Sequence, residues 1–304
     1  MKRETVRTVA VLWTLLVGAA VVQALSAQQR PPLNPPAMSA SSDVQAPIGK
    51  DSVKFLVIGD SGTGDKGQYD TAAQMWTAHS VFPYEFAIML GDNLYGSERP
   101  QDFVSKFERP YKPMLDANIP FYAALGNHDD PNQRFYKNFG MGGKRFYSYQ
   151  KGDVRFFALD SNYMDKDQQR WLEDELSKSN AKWKIAYFHH PLYSSGAAHG
   201  SEVDLRSIVE PLFIKYNLQV VFAGHEHFYE RVKPQKGIHY FTAGGSAKLR
   251  SGDIMSNTGL TEKGFDTEQT FMVIEIDGDV LRFQTLSKHG KRIDSGEIRR
   301  TPNS

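Results

Sequence analysis

Five short polar clusters follow apolar runs along this sequence. They are Gly59-Asp60-Ser61-Gly62, Gly91-Asp92-Asn93-Leu94-Tyr95, Gly126-Asn127-His128-Asp129, His189-His190-Pro191 and Gly224-His225-Glu226-His227. Their side chains are carboxylates, a phenol, a carboxamide and imidazoles. Such oxygens suit hard cations and imidazole suits Fe, Zn and Mn, while the absence of cysteine leaves no soft thiolate donor. An aspartate can also bridge two ions roughly 3.5 to 4 Å apart, the spacing that two-metal hydrolysis uses. One Gly-Asp pair after an apolar run reads as an ordinary turn or cap. Six of the nine histidines, however, fall within "GNHD", "HHPLYSSGAAHG" and "GHEH", and that concentration points to one site rather than five turns.

The elements that must carry these clusters alternate. "KFLVIGD", "EFAIMLGD" and "PFYAALGNHD" read as strands, separated by helical stretches "QYDTAAQMWTAHSVF" and "DFVSKFERPYKPMLDA". A hairpin-like "RFYSYQKGDVRFFALDS" leads to the helix "DKDQQRWLEDELSKS", where Asp165 and Gln168 form a capping box and Trp171, Leu172 and Leu176 a core-facing stripe. "KWKIAYFHH" and "LQVVFAGHEH" then bracket the helix "DLRSIVEPLFIKYN". This alternation predicts an α/β architecture. In the last third, "GIHYFTAGG", "TFMVIEID", "DVLRFQTLS" and "RIDSGEIRR" read as successive strands with an Asp-Gly turn in "IDGDVL", predicting a second, largely antiparallel sheet. Carboxyl ends of parallel strands line one rim of an open sheet, where ligands collect.

Gly62, Gly64 and Gly67 complete a GxGxxG after the first strand, the pattern of a dinucleotide-binding turn. Asp92, ending the next strand, could then take the place of the ribose-binding acid. That reading leaves the histidine clusters unexplained.

The N-terminus is of another kind. Lys2, Arg3 and Arg7 precede an apolar run from Val9 to Leu25, and small residues around Ser26 offer a cut before Ala27. This is an export-signal pattern over residues 1–27, with an uncleaved membrane anchor at 9–25 as the alternative. Residues 28–50, rich in Pro, Ser, Ala and Gln, read as a linker, and 51–304 as the one folded domain that carries the five clusters. Beyond residue 50 the chain carries 31 basic and 33 acidic residues, which gives no electrostatic footprint for nucleic acid.

As an ordered set the five clusters resemble the calcineurin-like metallophosphoesterases and, within them, the purple acid phosphatases, whose blocks are GDxG, GDxxY, GNH(D/E), HxP or GHxP, and GHxH. "HHPLYSS" and "AGHEHFYER" are similar to the family's flanking sequence, and the resemblance covers roughly residues 53 to 290. It implies a four-layer α/β/β/α sandwich of two mixed sheets flanked by helices. It further implies that Asp60, Asp92, Tyr95 and His227 hold one metal ion, and that Asp92, as the bridge, holds a second with Asn127, His189 and His225. Three anionic oxygens and one nitrogen match Fe(III) in the first place; the more neutral second set matches Fe(II), Zn or Mn(II). His128 would face the bound phosphate, and His199 would help bind substrate and protonate the leaving group. His190 is expected to play a supporting part, and His79, His239 and His289 an ordinary one. The chain leaves no room for the extra N-terminal β-sandwich of larger plant-type relatives, so the small, single-domain form is expected.

The expected function is that of an exported acid phosphatase, hydrolysing a small phosphomonoester by in-line attack of a metal-activated hydroxide. The alternatives are a phosphodiesterase or nucleotidase using the same two ions, and a catalytically silent metal- or phosphate-binding protein of the envelope.

Overall fold

The computed structural model describes residues 42–300. The expected signal segment and most of the linker lie outside the described residues. Among the described residues no helix is long and apolar enough to cross a membrane.

Two mixed sheets form the centre. The first, six-stranded, contains β1 (Val53–Ile58), β2 (Phe86–Met89) and β3 (Phe121–Ala123) in parallel. The second, seven-stranded, is built around β5 (Val154–Ala158), β6 (Trp183–Phe188) and β7 (Val220–Ala223), also parallel, with β4 (Tyr147–Lys151) antiparallel at one edge. Strands β8 (Tyr229–Val232), β9 (His239–Ala243) and β10 (Thr261–Phe265) extend the second sheet beyond β7. Strands β11 (Thr270–Asp277), β12 (Val280–Ser287) and β13 (Arg292–Arg299) extend the first beside β1.

The separate antiparallel sheet expected of the last third does not form. Strand β9 pairs parallel to β7, whereas β11 crosses to pair antiparallel with β1. The central strands are buried on both faces, which is why their sequences read as continuous apolar runs. Phe55, Phe86 and Phe156 meet between the sheets at ring distances of 5.2 to 5.4 Å. On the far side of the second sheet, Phe157, Phe188 and Val221 pack with Leu172 and Leu176 of α4 (Lys166–Lys178) and Val209 and Phe213 of α5 (Val203–Lys215). Ala72, Met75 and Ala78 of α1 (Lys66–His79) join the core of the first sheet. This is the four-layer arrangement.

Local readings differ at four points. The long helix expected near residues 102–117 is broken into α2 (Pro100–Phe103), a π-helical turn Val104–Glu108 and α3 (Lys112–Asp116); Pro110 and Pro113 each lack the N–H that an unbroken helix needs there. Asp165 caps α4 by accepting the Gln168 N–H at 2.8 Å, but the Gln168 side chain does not complete the box. It donates instead to Asp160 O and Tyr163 O, tying the end of β5 to the helix. The β11–β12 turn is centred on Gly278 and Asp279, one residue later than expected, with Gly278 at φ +56°. Residues 43–49, expected as linker, are fastened to the first sheet. Val44 is buried, Asp43 N–H donates to Gly290 O, and Ile48 and Gly49 N–H both donate to Glu275 Oε1.

Candidate metal centre

The five polar clusters leave the carboxyl ends of β1, β2, β3, β6 and β7, so three come from one sheet and two from the other. Asp60, Asp92 and His225 have φ of +53°, +50° and +70°, three of the six non-glycine residues with positive φ among those described. That left-handed backbone is strained for such residues and concentrates at functional sites. Each places a sharp turn directly after a strand. Gly126 admits a close approach between two clusters, for a Cβ there would overlap Asp92 N and Oδ1.

The side chains converge. Asp60 Oδ1 accepts the Tyr95 hydroxyl at 2.9 Å and Oδ2 accepts the His225 N–H at 2.8 Å. His227 Nε2 lies 3.4 Å from Asp60 Oδ1 and 3.2 Å from the Tyr95 hydroxyl. Asp92 Oδ1 accepts the His128 N–H at 3.0 Å and lies 3.5 Å from His189 Nε2. His189 Nδ1–H donates to Leu90 O at 3.0 Å, which leaves Nε2 as a lone pair. That lone pair sits 2.9 Å from Asn127 Oδ1 and 3.0 Å from His225 Nδ1. One donor atom each from Asp60, Asp92 and His189 lies within 4.8 Å of the others, and the same holds for His189, His190 and His225.

A cation fits this set on electrostatic grounds. Asp60 and Asp92 are buried to within 1% exposure, and neither forms an ion pair with a Lys or Arg among the described residues. A buried charge without a counter-charge is strongly destabilising. Burial and the neighbouring Asp92 push the Asp60 carboxyl well above the usual range, against the Tyr95 and His225 hydrogen bonds. Burial likewise raises the Tyr95 phenol, helped by Asp60 and Asp92. The imidazoles move the other way. Burial depresses His189, and lowers His225 to about 2 and His227 to about 4, with neighbouring His or Arg side chains adding to the effect. Neutral imidazole is the protonation state of a metal donor, whereas Asp60 and Tyr95 would release their protons to a bound cation.

The other expected residues are at the same rim. The His128 ring lies 5.1 Å from that of Tyr95, and the His199 ring 4.1 Å from that of His225. His190 Nδ1 is 2.8 Å from Ser161 Oγ, and with Asn127, Asp160 and Asn162 it lines a cavity of about 380 Å³. His79 stacks on Trp76, His239 is on β9, and His289 pairs with Glu268, all outside this group. The glycine-rich turn is not an anion cradle: the Asp65 carboxylate takes the Gln68 N–H at the start of α1, and the Gln68 side chain takes the Gly64 N–H.

Two carboxylates escaped the sequence reading. Asp129 accepts N–H groups from Gly126, Asn93 and Leu94, joining the second cluster to the third. Burial and Asp92 raise it to about 8. Its signal was the acid directly after Asn127-His128. Glu226 lies buried between two of the expected histidines, where an acid in a His-x-His pair reads as exposed.

The calcineurin-like phosphoesterase family matches residues 53–229. The chain is 29% identical over 222 residues to a probable purple acid phosphatase 20 of Arabidopsis thaliana, covering 64% of this chain and 50% of the relative. It therefore spans about half the length of that relative. Among solved structures, the purple acid phosphatase PPD1 from yellow lupin (Lupinus luteus) seeds is similar with a TM-score of 0.67 and 21% identity, covering 86% of this chain and 56% of that one. GAP50, the anchor in the inner membrane complex of Plasmodium, is similar with a TM-score of 0.70 and 22% identity, covering 82% and 89%. With the family match extending over more than half of its length, from β1 to the start of β8, the chain belongs to the calcineurin-like phosphoesterases.

Proposed function

We propose that this protein is an exported acid phosphatase that hydrolyses small phosphomonoesters at a dinuclear metal centre. The observation that carries the reading is the pair of wholly buried aspartates, Asp60 and Asp92, set among neutral imidazoles with no Lys or Arg among the described residues pairing with them. Asp60, Asp92, Tyr95 and His227 form the more anionic donor set, suited to Fe(III). Asp92, Asn127, His189 and His225 form the more neutral one, suited to Fe(II), Zn or Mn(II). Two such ions, when bound, supply positive charge for the phosphate oxygens and make water a competent nucleophile at mildly acidic pH.

The chain's own residues do the rest. The His225 N–H fixes Asp60 Oδ2 and the His128 N–H fixes Asp92 Oδ1, while the Tyr95 hydroxyl that donates to Asp60 Oδ1 would give up its proton to serve as a phenolate donor. Leu90 O holds the His189 tautomer that turns Nε2 inward. In this reading His128 meets the phosphate, and His199, with 37% of its side chain exposed, gives a proton to the departing alkoxide oxygen. No side chain forms a bond to phosphorus, so no phosphoenzyme is expected. Export is supported by the basic, apolar and small-residue pattern of residues 1–27.

Turnover of p-nitrophenyl phosphate and of bis(p-nitrophenyl) phosphate tests the substrate class. The expected result is a kcat/KM at least about tenfold higher for the monoester, a difference of about 1.4 kcal/mol in transition-state binding. Faster diester turnover would favour the phosphodiesterase reading.

A further inference from the structure

Glu226 stands between His225 and His227, yet its wholly buried carboxylate meets the loop Ser194–Gly200. Its Oε1 accepts the Gly200 N–H at 2.6 Å, and a Cβ on Gly196 would overlap the same carboxylate. Its Oε2 has no hydrogen-bond partner and lies 3.5 Å from His199 Nδ1 and 3.7 Å from Arg250 Nη1. The loop is fastened from three directions. Glu230, also wholly buried, accepts the Ser195 N–H at 2.9 Å. Ala197 N–H donates to Asp253 O and Met255 N–H donates to Ser195 O. Arg250, whose N–H donates to His227 O, faces Asp253 Oδ2 at 3.6 Å. His199 is thus carried on a held loop, with its ring against His225 and its Nδ1 toward Glu226.

We propose that Glu226 is a positioning residue, holding His199 through Nδ1 so that Nε2 faces the leaving group of the substrate. A buried carboxylate oxygen without a partner is unfavourable. Donation of the His199 Nδ1–H to Oε2 satisfies it and fixes the tautomer and ring angle together. As the ester P–O bond breaks, its electrons go to the alkoxide oxygen, which takes the Nε2 proton. The neutral imidazole keeps Nδ1–H on Glu226 and regains its lost proton from water. This rests on the phosphomonoesterase reading above.

The test compares wild type, Glu226→Gln, His199→Ala and the double variant on glycerol 3-phosphate, a poor leaving group, and p-nitrophenyl phosphate, a good one. Metal per chain is measured alongside. A general acid contributes about 10² to 10⁴ overall, so the misaligned His199 of Glu226→Gln is expected to lower kcat about tenfold on the alkyl ester and less than about threefold on the aryl ester. Metal content stays at the wild-type level. In the His199→Ala background the Glu226→Gln change has less than about a twofold effect, since it acts only through His199. An equal loss on both esters, or an undiminished loss without His199, overturns the proposal. If Glu226→Gln loses metal or fails to fold, Glu226→Asp retracts the carboxylate by one methylene and keeps its charge. A folded Glu226→Asp with the wild-type ratio of the two activities overturns it as well. Wild-type protein inactive on both esters would instead count against the phosphatase reading.

Discussion

Asp92→Asn is expected to lower kcat/KM by about a thousandfold, which corresponds to losing about 4 kcal/mol of transition-state charge stabilisation. Metal content is expected to fall from two ions per chain to one or fewer. The substitution isolates charge from shape. Asparagine is isosteric and tolerates the φ of +50° at this position, so the turn after β2 survives. The His128 N–H can still donate to the amide oxygen. What disappears is one of two negative charges confined together below the surface. The same reasoning gives an opposite sign for the metal-free protein. Asp60 is pushed up by burial first and by Asp92 second, so removing the Asp92 charge relieves repulsion. The metal-free variant is expected to unfold a few degrees above metal-free wild type, about 1 kcal/mol of relief. Thermal unfolding in chelator checks that half. A variant that keeps two ions and wild-type turnover contradicts the assigned bridge.

The second large effect is one of pH. His227 is lowered to about 4 and His225 to about 2, burial being the main cause of each. A depressed imidazole stays neutral, with its lone pair free, down to its own folded value. Between the ordinary histidine value of 6.5 and about 4, these side chains therefore take up no proton that would compete with a cation. The linked consequence for the metal-free fold has the opposite sense. An unfolded chain protonates these histidines from 6.5 downward, so their contribution to stability falls as pH drops through that window. Bound metal is expected to survive dialysis at about pH 5, well below the ordinary histidine value, with activity retained alongside it. Release centred near 6.5 would mean that the folded histidines titrate as exposed ones do.

Much of the convergence of side chains on this rim is legible in the sequence alone. Carboxylate, phenol, amide and imidazole at the ends of apolar runs need only one rule, that parallel strands deliver their ends to one rim, to be brought together. The partition of strands between sheets was not legible. Strand β11 follows β9 and β10 in sequence, yet it pairs with β1 more than 200 residues earlier, and nothing local encodes so distant a partner. The fastening of residues 43–49 was hidden for a related reason. That segment contributes backbone N–H groups to Glu275 and only Val44 to the core, and backbone donors leave no compositional trace. The GxGxxG turn suggests a nucleotide cradle because its glycines are visible in sequence, while the carboxylate already seated at the start of α1 is a matter of geometry. Asp129 and Glu226 hide in plain view beside expected ligands, for their roles depend on the loops they hold rather than on spacing.

Two metal ions are expected at this rim, with Tyr95 on the more anionic one. Metal analysis together with a visible spectrum of protein expressed in iron- and zinc-replete medium tests this most directly. The expected result is two ions per chain and a violet phenolate-to-Fe(III) band that Tyr95→Phe abolishes. Colourless protein, or protein holding fewer than two ions per chain, would contradict it.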